Sequence, residues 1–103
     1  MTFNDWAFIY LGMGEEDPAV DRAVIERGGL RTTIIAVPEK SAVVQAAVEL
    51  VDGGAQSIEL CGAFGPVWTA RVIEAIGGRV PVGSVSFSME SVPGLAALFA
   101  PRT

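Results

Sequence analysis

Glu59 and Cys61 are the residues best suited to chemistry in this sequence, and they lie two apart in the stretch ELCGAFGP, residues 59–66. Residues two apart in a strand point to the same side, so the carboxylate and the thiol share one face. A carboxylate between Ile58 and Leu60 is costly in a buried strand unless it is paired, protonated or beside a polar cavity. Glu59 is therefore the first candidate for a general acid or base.

The residues after Cys61 form a glycine-rich turn that predicts an anion site. Gly62 and Gly65 let the backbone turn sharply, and Pro66 suits the first position of a helix. The free amides at a helix start carry partial positive charge, which stabilises an anion or a developing oxyanion and activates a thiol that points toward them. The predicted ligand contacts in and after this turn are Gly62, Ala63, Phe64, Gly65 and Trp68, the two aromatic rings serving as an apolar wall.

Both chemical candidates also have purely structural explanations. A lone cysteine at the end of a strand is often a small buried apolar side chain. Glu59 can lie at the surface or pair with an arginine such as Arg31 or Arg79, since structural networks also hold carboxylates. The pattern Gly-x-x-Gly-Pro is common in strand-to-helix turns and carries little specificity.

Two further side chains join this site if the strand faces coincide. Tyr10 lies near the end of the first predicted strand, and Ser86 alternates with two other serines on the last. The chain has no histidine, so Glu59 would be the acid or base, with Tyr10 or Cys61 as proton donor. The predicted catalytic residues are Glu59, Cys61 and Tyr10, and Ser86 is a predicted ligand contact.

Several site types are excluded by composition. With no histidine and one cysteine, the chain cannot form a Ser-His or Cys-His pair, an intrachain disulfide or a thiolate metal cage. The loop GMGEED, residues 12–17, looks like a phosphate loop, but its three carboxylates repel an anion. A Mg²⁺ site is conceivable there, although a solvated acidic turn that caps a helix at Asp17 is favoured. We expect no metal and no cofactor.

Charge and hydropathy limit the partners. Seven basic and twelve acidic side chains give a net charge of −5, and the basic ones are scattered, which argues against nucleic-acid binding. No apolar run approaches the roughly 18 residues of a membrane span, and MTFNDW does not resemble a signal peptide. We therefore expect a cytoplasmic protein that binds no membrane. Half of the 103 residues are hydrophobic, which predicts a homo-oligomer, a dimer or larger.

Three Gly-Gly doublets, about 25 residues apart, each follow a helical pattern and precede a β-branched run, which predicts repeated strand-helix units. We predict an α/β fold of the order βαβαβαβ, with a four-stranded, mostly parallel sheet and a short C-terminal helix, as an open sandwich or half of a βα barrel. The chain is expected to be a single domain, 1–103, in which 89–103 docks on the body or on a partner. Predicted strands are 6–11, 30–37, 56–61 and 80–88, and predicted helices are 18–27, 42–52, 66–76 and about 91–100.

The predicted helix 42–52 has a narrow polar stripe, formed by Gln45, Glu49 and Asp52. A helix with so small a polar face is covered on more than one side. Because a sheet covers only one side, a subunit contact is the simplest explanation, and tolerated exposure of small Ala and Val side chains is the alternative.

Three segments, AFIYLG (7–12), GAQSIELCGAFG (54–65) and VIEAIGGRVPVGSVSF (72–87), carry a resemblance to a known family. The chain resembles a family of small bacterial α/β proteins, a domain of unknown function with an ELCG-(A/G)-FG motif. The resemblance implies a compact βα protein of this size, and it implies no activity and no catalytic residues.

Two functions fit these observations. The first is an oligomeric α/β protein that binds a small anionic or carbonyl-bearing molecule, with proton-transfer chemistry (isomerase, cyclase or lyase) by Glu59 beside the Gly62–Gly65 turn. The second is a non-catalytic oligomeric module with a structural or regulatory role.

Overall fold

The computed structural model describes residues 2–101, so the last two residues of the predicted docking segment 89–103 lie outside the described residues. Short 3₁₀ turns at Gly62–Phe64 and Met89–Ser91 precede the second and third helices. In chain order, the strands and helices are β1 (Asp5–Leu11), β2 (Arg22–Arg27), β3 (Leu30–Val37), α1 (Ala42–Asp52), β4 (Ile58–Leu60), α2 (Gly65–Ala75), β5 (Val82–Ser84) and α3 (Val92–Phe99).

The strands form one sheet in the order β2-β3-β1-β4-β5. β1 pairs in parallel with β3 and β4, and β4 pairs in parallel with β5, whereas β2 is antiparallel to β3. The predicted α/β class with a mostly parallel sheet and a C-terminal helix is confirmed. The predicted count of four strands is wrong, because the sheet has five.

The fifth strand replaces the helix predicted for 18–27, which is the main error. Arg22–Arg27 and Leu30–Val37 form a hairpin closed by Gly28 and Gly29, which have φ angles of 61° and 78°. Positive φ at both central residues is the requirement of a type I′ turn, the two-residue turn that matches strand twist. The doublet therefore joins two strands here, while Gly53-Gly54 and Gly77-Gly78 follow α1 and α2 as predicted.

The other predicted elements are found, with shorter strands near the C-terminus. The strand predicted for 6–11 begins one residue earlier, and the strand predicted for 30–37 and the helix predicted for 42–52 have the observed bounds. The strands predicted for 56–61 and 80–88 shrink to three residues each. β5 pairs with β4, and β4 ends where the glycine-rich turn begins. The chain that follows β5 therefore has no strand beside it with which to pair.

The core lies between one face of the sheet and the first two helices. Ile9, Ile58 and Leu60 are fully buried in the sheet, and Val43 and Val72 are fully buried on α1 and α2. α2 also packs beside α1, so a second side of α1 is covered within the chain. The small polar stripe of α1 is thus explained without a subunit contact, and the oligomer stays a prediction.

Within the described part of the chain, residues 2–101, no helix packs on the opposite face of the sheet. Alternation along β1 places Trp6, Phe8 and Tyr10 on this face, and strand register adds Ile34 and Glu59. These five residues, which we call the open face, are all at least partly exposed, and Tyr10 is 40% exposed. The sheet is an open one with α1 and α2 on a single side.

Candidate functional site

The glycine-rich turn connects the carboxyl end of β4 to α2, at the edge of the sheet where ligands bind in parallel α/β folds. Gly62–Phe64 form a 3₁₀ turn, and Gly65 has a φ angle of 75°, a conformation that favours glycine. Phe64 is only 2% exposed and belongs to the core, so its ring anchors the turn. It is therefore packed inside the protein and does not form the predicted wall of a ligand site.

Gly62 brings the turn into close contact with the chain that follows β5. A Cβ atom at Gly62 would lie 2.6 Å from the carbonyl oxygen of Val85, which is closer than real Cβ contacts allow. The amide of Val85 in turn donates to the carbonyl of Leu60 at 2.9 Å. Position 62 therefore needs glycine for close approach of two backbone segments.

A cavity of about 670 Å³ opens beside this turn. It is bounded by the turn, by the segment that follows β5 and by α3, and most of its wall is apolar. The lining residues with polar side chains are Ser84 and Ser86, which carry hydroxyls, and Cys61, which carries the thiol. The lining residues are Cys61, Gly62, Ala63, Gly65, Pro66, Ser84, Val85, Ser86, Phe87, Leu95, Leu98 and Phe99.

Five of the predicted site residues meet in this cavity, and four do not. Glu59 and Tyr10 lie on the open face, where Glu59 is directly opposite Phe8 in the register. Trp68 lies on α2, half-buried, with the guanidinium of Arg71 4.3 Å above its ring. The cavity wall thus contains Cys61, Gly62, Ala63, Gly65 and Ser86, and it lacks Tyr10, Glu59, Phe64 and Trp68.

Glu59 borders a separate, shallow hollow. Its neighbours there include Phe3, Trp6 and Pro81, at the end of the sheet away from the turn. The Glu59 carboxylate is exposed, so the desolvation cost expected of a carboxylate in a buried strand does not arise. No ion pair with Arg31 or Arg79 is formed within residues 2–101, and Arg79 pairs instead with Asp52 at 2.9 Å.

Cys61 has a structural contact that accounts for its position. Its Sγ accepts a hydrogen bond from the backbone N–H of Leu11 at 3.3 Å, and its own N–H donates to the carbonyl of Ile9 at 3.0 Å. The side chain is half-buried at the end of β4. The thiol therefore continues the hydrogen bonding between β1 and β4 past the last paired residue of the sheet.

The loop GMGEED binds its own carboxylate, a feature that the sequence analysis missed. The carboxylate of Glu16 accepts hydrogen bonds from three backbone N–H groups. The donors are Met13 at 2.8 Å, Gly14 at 2.9 Å and Glu15 at 3.1 Å. The Met13 amide, with the other backbone amides, lowers the pKa of Glu16 below its ordinary value. The sequence does contain a signal for this feature, namely Gly12 and Gly14 followed closely by Glu16. A glycine-rich turn can point successive N–H groups inward to form an anion-binding nest, and a nearby carboxylate can occupy it.

The helix cap predicted at Asp17 is also wrong, because a turn and β2 follow the loop. The side chain of Asp17 accepts the N–H of Ala19 at 3.0 Å, and its backbone N–H donates to the Asp21 carboxylate at 2.8 Å. The carboxylate thus stabilises a local turn, which short polar side chains favour. Three lining residues of the cavity that were not predicted as ligand contacts, Leu95, Leu98 and Phe99, lie on α3 in the apolar C-terminal segment predicted to dock.

Over residues 2–101, no three His, Cys, Asp or Glu side chains lie close enough together to hold a metal ion. None of the described helices has the length and apolarity needed to cross a membrane.

Comparison with known proteins identifies the family. Residues 4–100 match the model of DUF6506, a family of unknown function. No curated protein and no solved structure matches the chain. The resemblance to a family of unknown function is confirmed, while bacterial origin and the ELCG-(A/G)-FG motif stay predictions. Since the match spans nearly the whole sequence, the chain belongs to the DUF6506 family.

Proposed function

We propose that this protein binds a small molecule in the cavity beside the 62–65 turn. The observation that carries the proposal is the position of an apolar cavity at the carboxyl ends of β4 and β5. Open parallel sheets bind ligands at this edge, and small-molecule sites are mostly apolar with a few placed polar groups. A volume of about 670 Å³ is in the range of such sites.

The lining suggests what kind of molecule fits. Leu95, Leu98 and Phe99 would contact an apolar body, while the hydroxyls of Ser84 and Ser86 would bind a polar end. Among residues 2–101, the N–H groups of Gly62 and Ala63 in the cavity wall donate to no backbone acceptor, whereas Gly65 donates to the Gly62 carbonyl and Pro66 has no N–H. A carboxylate or a carbonyl oxygen suits these donors, so we infer an apolar ligand with one such group.

Proton transfer by Glu59 is a separate proposal, because Glu59 does not line the cavity beside the 62–65 turn. Because Glu59 borders the hollow near Phe3 and Trp6, a substrate for isomerase, cyclase or lyase chemistry would bind on the open face. None of the described residues that line the cavity carries a carboxylate, and Glu59 is not among them, so a reaction there could not use Glu59 directly. Binding is therefore the function that we propose for the cavity.

The second candidate function, a non-catalytic oligomeric module, is supported by different surfaces. Of the five residues of the open face, only Glu59 and Tyr10 are polar, and α1 and α2 both lie on the other side of the sheet. Leu98 and Phe99 on α3 are 78% and 79% exposed. Large exposed apolar patches mark interaction surfaces, which favours assembly in a soluble α/β protein.

A blocked-cavity experiment tests the ligand proposal. Small carboxylic acids and ketones with aliphatic or aromatic bodies are screened by ligand-observed NMR against the wild-type chain and Ser86→Phe, which fills the cavity. Ser88→Phe, the same change two residues further along and outside the lining, is the matched control. We expect binding to wild type and Ser88→Phe and loss in Ser86→Phe. The proposal fails if no compound binds or if Ser86→Phe binds as well as wild type.

A further inference from the structure

β2 is an edge strand with hydrogen-bonding groups that face away from the sheet. The two-residue turn makes Arg27 and Leu30 a hydrogen-bonded pair, and such pairs alternate along an antiparallel ladder. The bond from the N–H of Ala36 to the carbonyl of Asp21, at 3.0 Å, fits the same alternation. Odd-numbered residues thus bond to β3, whereas residues 22, 24 and 26 point their backbone groups outward. The N–H of Arg22 already donates to the Val20 carbonyl at 2.9 Å, so the groups open to pairing are the carbonyl of Arg22 and the N–H and carbonyl groups of Val24 and Glu26.

The segment DRAVIER, residues 21–27, is complementary to itself when read in the opposite direction. Antiparallel pairing about a two-fold axis at Val24 places Asp21 opposite the partner's Arg27 and Arg22 opposite the partner's Glu26. Ala23 then meets the partner's Ile25, and the two Val24 residues meet each other. Every charged residue of the segment has an opposite charge across the seam.

Backbone parity and charge select this one register. The outward backbone groups of the two strands can hydrogen-bond only if even-numbered residues lie opposite even-numbered residues. The two registers nearest to the Val24-centred one are therefore centred on Ala23 and on Ile25. Neither of these places opposite charges across from each other, and registers centred on Arg22 or Glu26 oppose identical charges. A shifted register therefore loses the charge pairs that the Val24-centred register makes.

The selected register also continues a charge pattern already present in the sheet. Glu26 is directly opposite Arg31, and Arg31 is directly opposite Asp5 on the other side. Register places these three side chains in one row across the strands. The partner's Arg22 would extend that row beside Glu26, so the charges would alternate over four strands.

We propose that β2 is a dimerisation strand, which pairs antiparallel with β2 of a second copy of this chain in the Val24-centred register. Charges on an edge strand usually prevent pairing, but here their order favours one partner, an identical strand. Pairing would also cover Val24 and Ile25, which are 46% and 56% exposed. Because β2 and β5 are opposite edges of the sheet, this proposal is independent of the ligand proposal.

Charge reversal with mixing tests the register. Arg22→Glu gives a strand with only acids at positions 22 and 26, and Glu26→Arg gives one with only bases there. Each single variant turns two attractive cross-seam pairs repulsive, so we expect the dimer Kd to rise by about tenfold or more. An equimolar mixture of the two variants has opposite charges at both pairs, so we expect a heterodimer. Analytical ultracentrifugation over a concentration series measures all three samples.

Two further variants serve as controls. Val24→Pro removes an outward N–H that makes no bond within the chain, so we expect a monomer with native circular dichroism. Glu74→Arg, on exposed α2 surface, changes the net charge as Glu26→Arg does and should leave the dimer intact.

The possible results separate clearly. A wild-type chain that is monomeric throughout the series overturns the proposal, as does a Glu26→Arg variant that dimerises like wild type. A mixture that stays monomeric rejects the register. If Val24→Pro does not fold, the charge-reversal samples decide alone. Loss of ligand binding in Ser86→Phe with an unchanged dimer would confirm that the two proposals concern separate surfaces.

Discussion

Gly62→Ala is the change whose effect follows most directly from the geometry of the turn. The added Cβ would lie 2.6 Å from the Val85 carbonyl oxygen, and both atoms belong to or are fixed to backbone. Contacts below 3.0 Å do not occur for real Cβ atoms, so one backbone segment must move. The φ angle of Gly62 is not in the left-handed region, so the cost is steric alone.

The magnitude can be bounded from known overpacking effects. Forcing an extra carbon into a packed region costs about 1–3 kcal/mol through shifts of backbone and side chains. A backbone shift at Gly62 would lengthen or misalign the hydrogen bond from the Val85 N–H to the Leu60 carbonyl. This bond is 2.9 Å long and joins the ends of β4 and β5. We therefore expect Gly62→Ala to lower the free energy of unfolding by about 1–3 kcal/mol.

Urea unfolding followed by circular dichroism measures this change, and amide NMR spectra show where it acts. The largest chemical-shift changes should fall at residues 60–64 and 84–86. Gly94→Ala is the matched control, because a Cβ there meets nothing and alanine favours a helix. The steric reasoning is refuted if Gly62→Ala changes the unfolding free energy by less than about 0.5 kcal/mol, the size of an ordinary surface substitution.

Two further predictions test the core anchor and the acidic loop. Phe64→Ala should lower the free energy of unfolding by about 3–5 kcal/mol in the same urea assay. Phe99→Ala, at a residue that is 79% exposed, should change it by less than about 0.5 kcal/mol. Similar losses in the two variants would contradict the anchoring role of Phe64. Amides bonded to the Glu16 carboxylate lower its folded pKa, so its stabilisation is present above the unfolded pKa and is lost as pH falls through the lowered folded pKa. The Met13 and Gly14 amide resonances should titrate with a midpoint below the ordinary glutamate pKa in wild type and not in Glu16→Gln, and a midpoint at the ordinary value would contradict the nest.

Most of the parallel part of the fold could be predicted from local patterns. The continuous apolar run at residues 6–11 indicated β1, because strands of parallel sheets are typically apolar along their length. The polar stripe of Gln45, Glu49 and Asp52 indicated α1, and ELCGAFGP indicated a strand followed by a turn and a helix. These signals involve residues close in sequence, so the amino-acid order alone carries them.

The hairpin could not be predicted in the same way. Gly28-Gly29 is compatible with a helix end and with a type I′ turn, since both need positive φ. The residues before it, RAVIER, contain both helix-forming and β-branched types. Pairing with Leu30–Val37 decided between them, and that pairing is a contact between chain segments.

For the candidate site, the sequence by itself determined that Glu59 shares a strand face with Cys61 and that the 62–65 turn lies at a strand end. Only the tertiary structure decided that α1 and α2 cover the other side, which leaves Glu59 exposed and away from the cavity. The physical reason is that alternation along a strand sets which residues share a face. Which face is buried depends on where helices from distant parts of the chain pack.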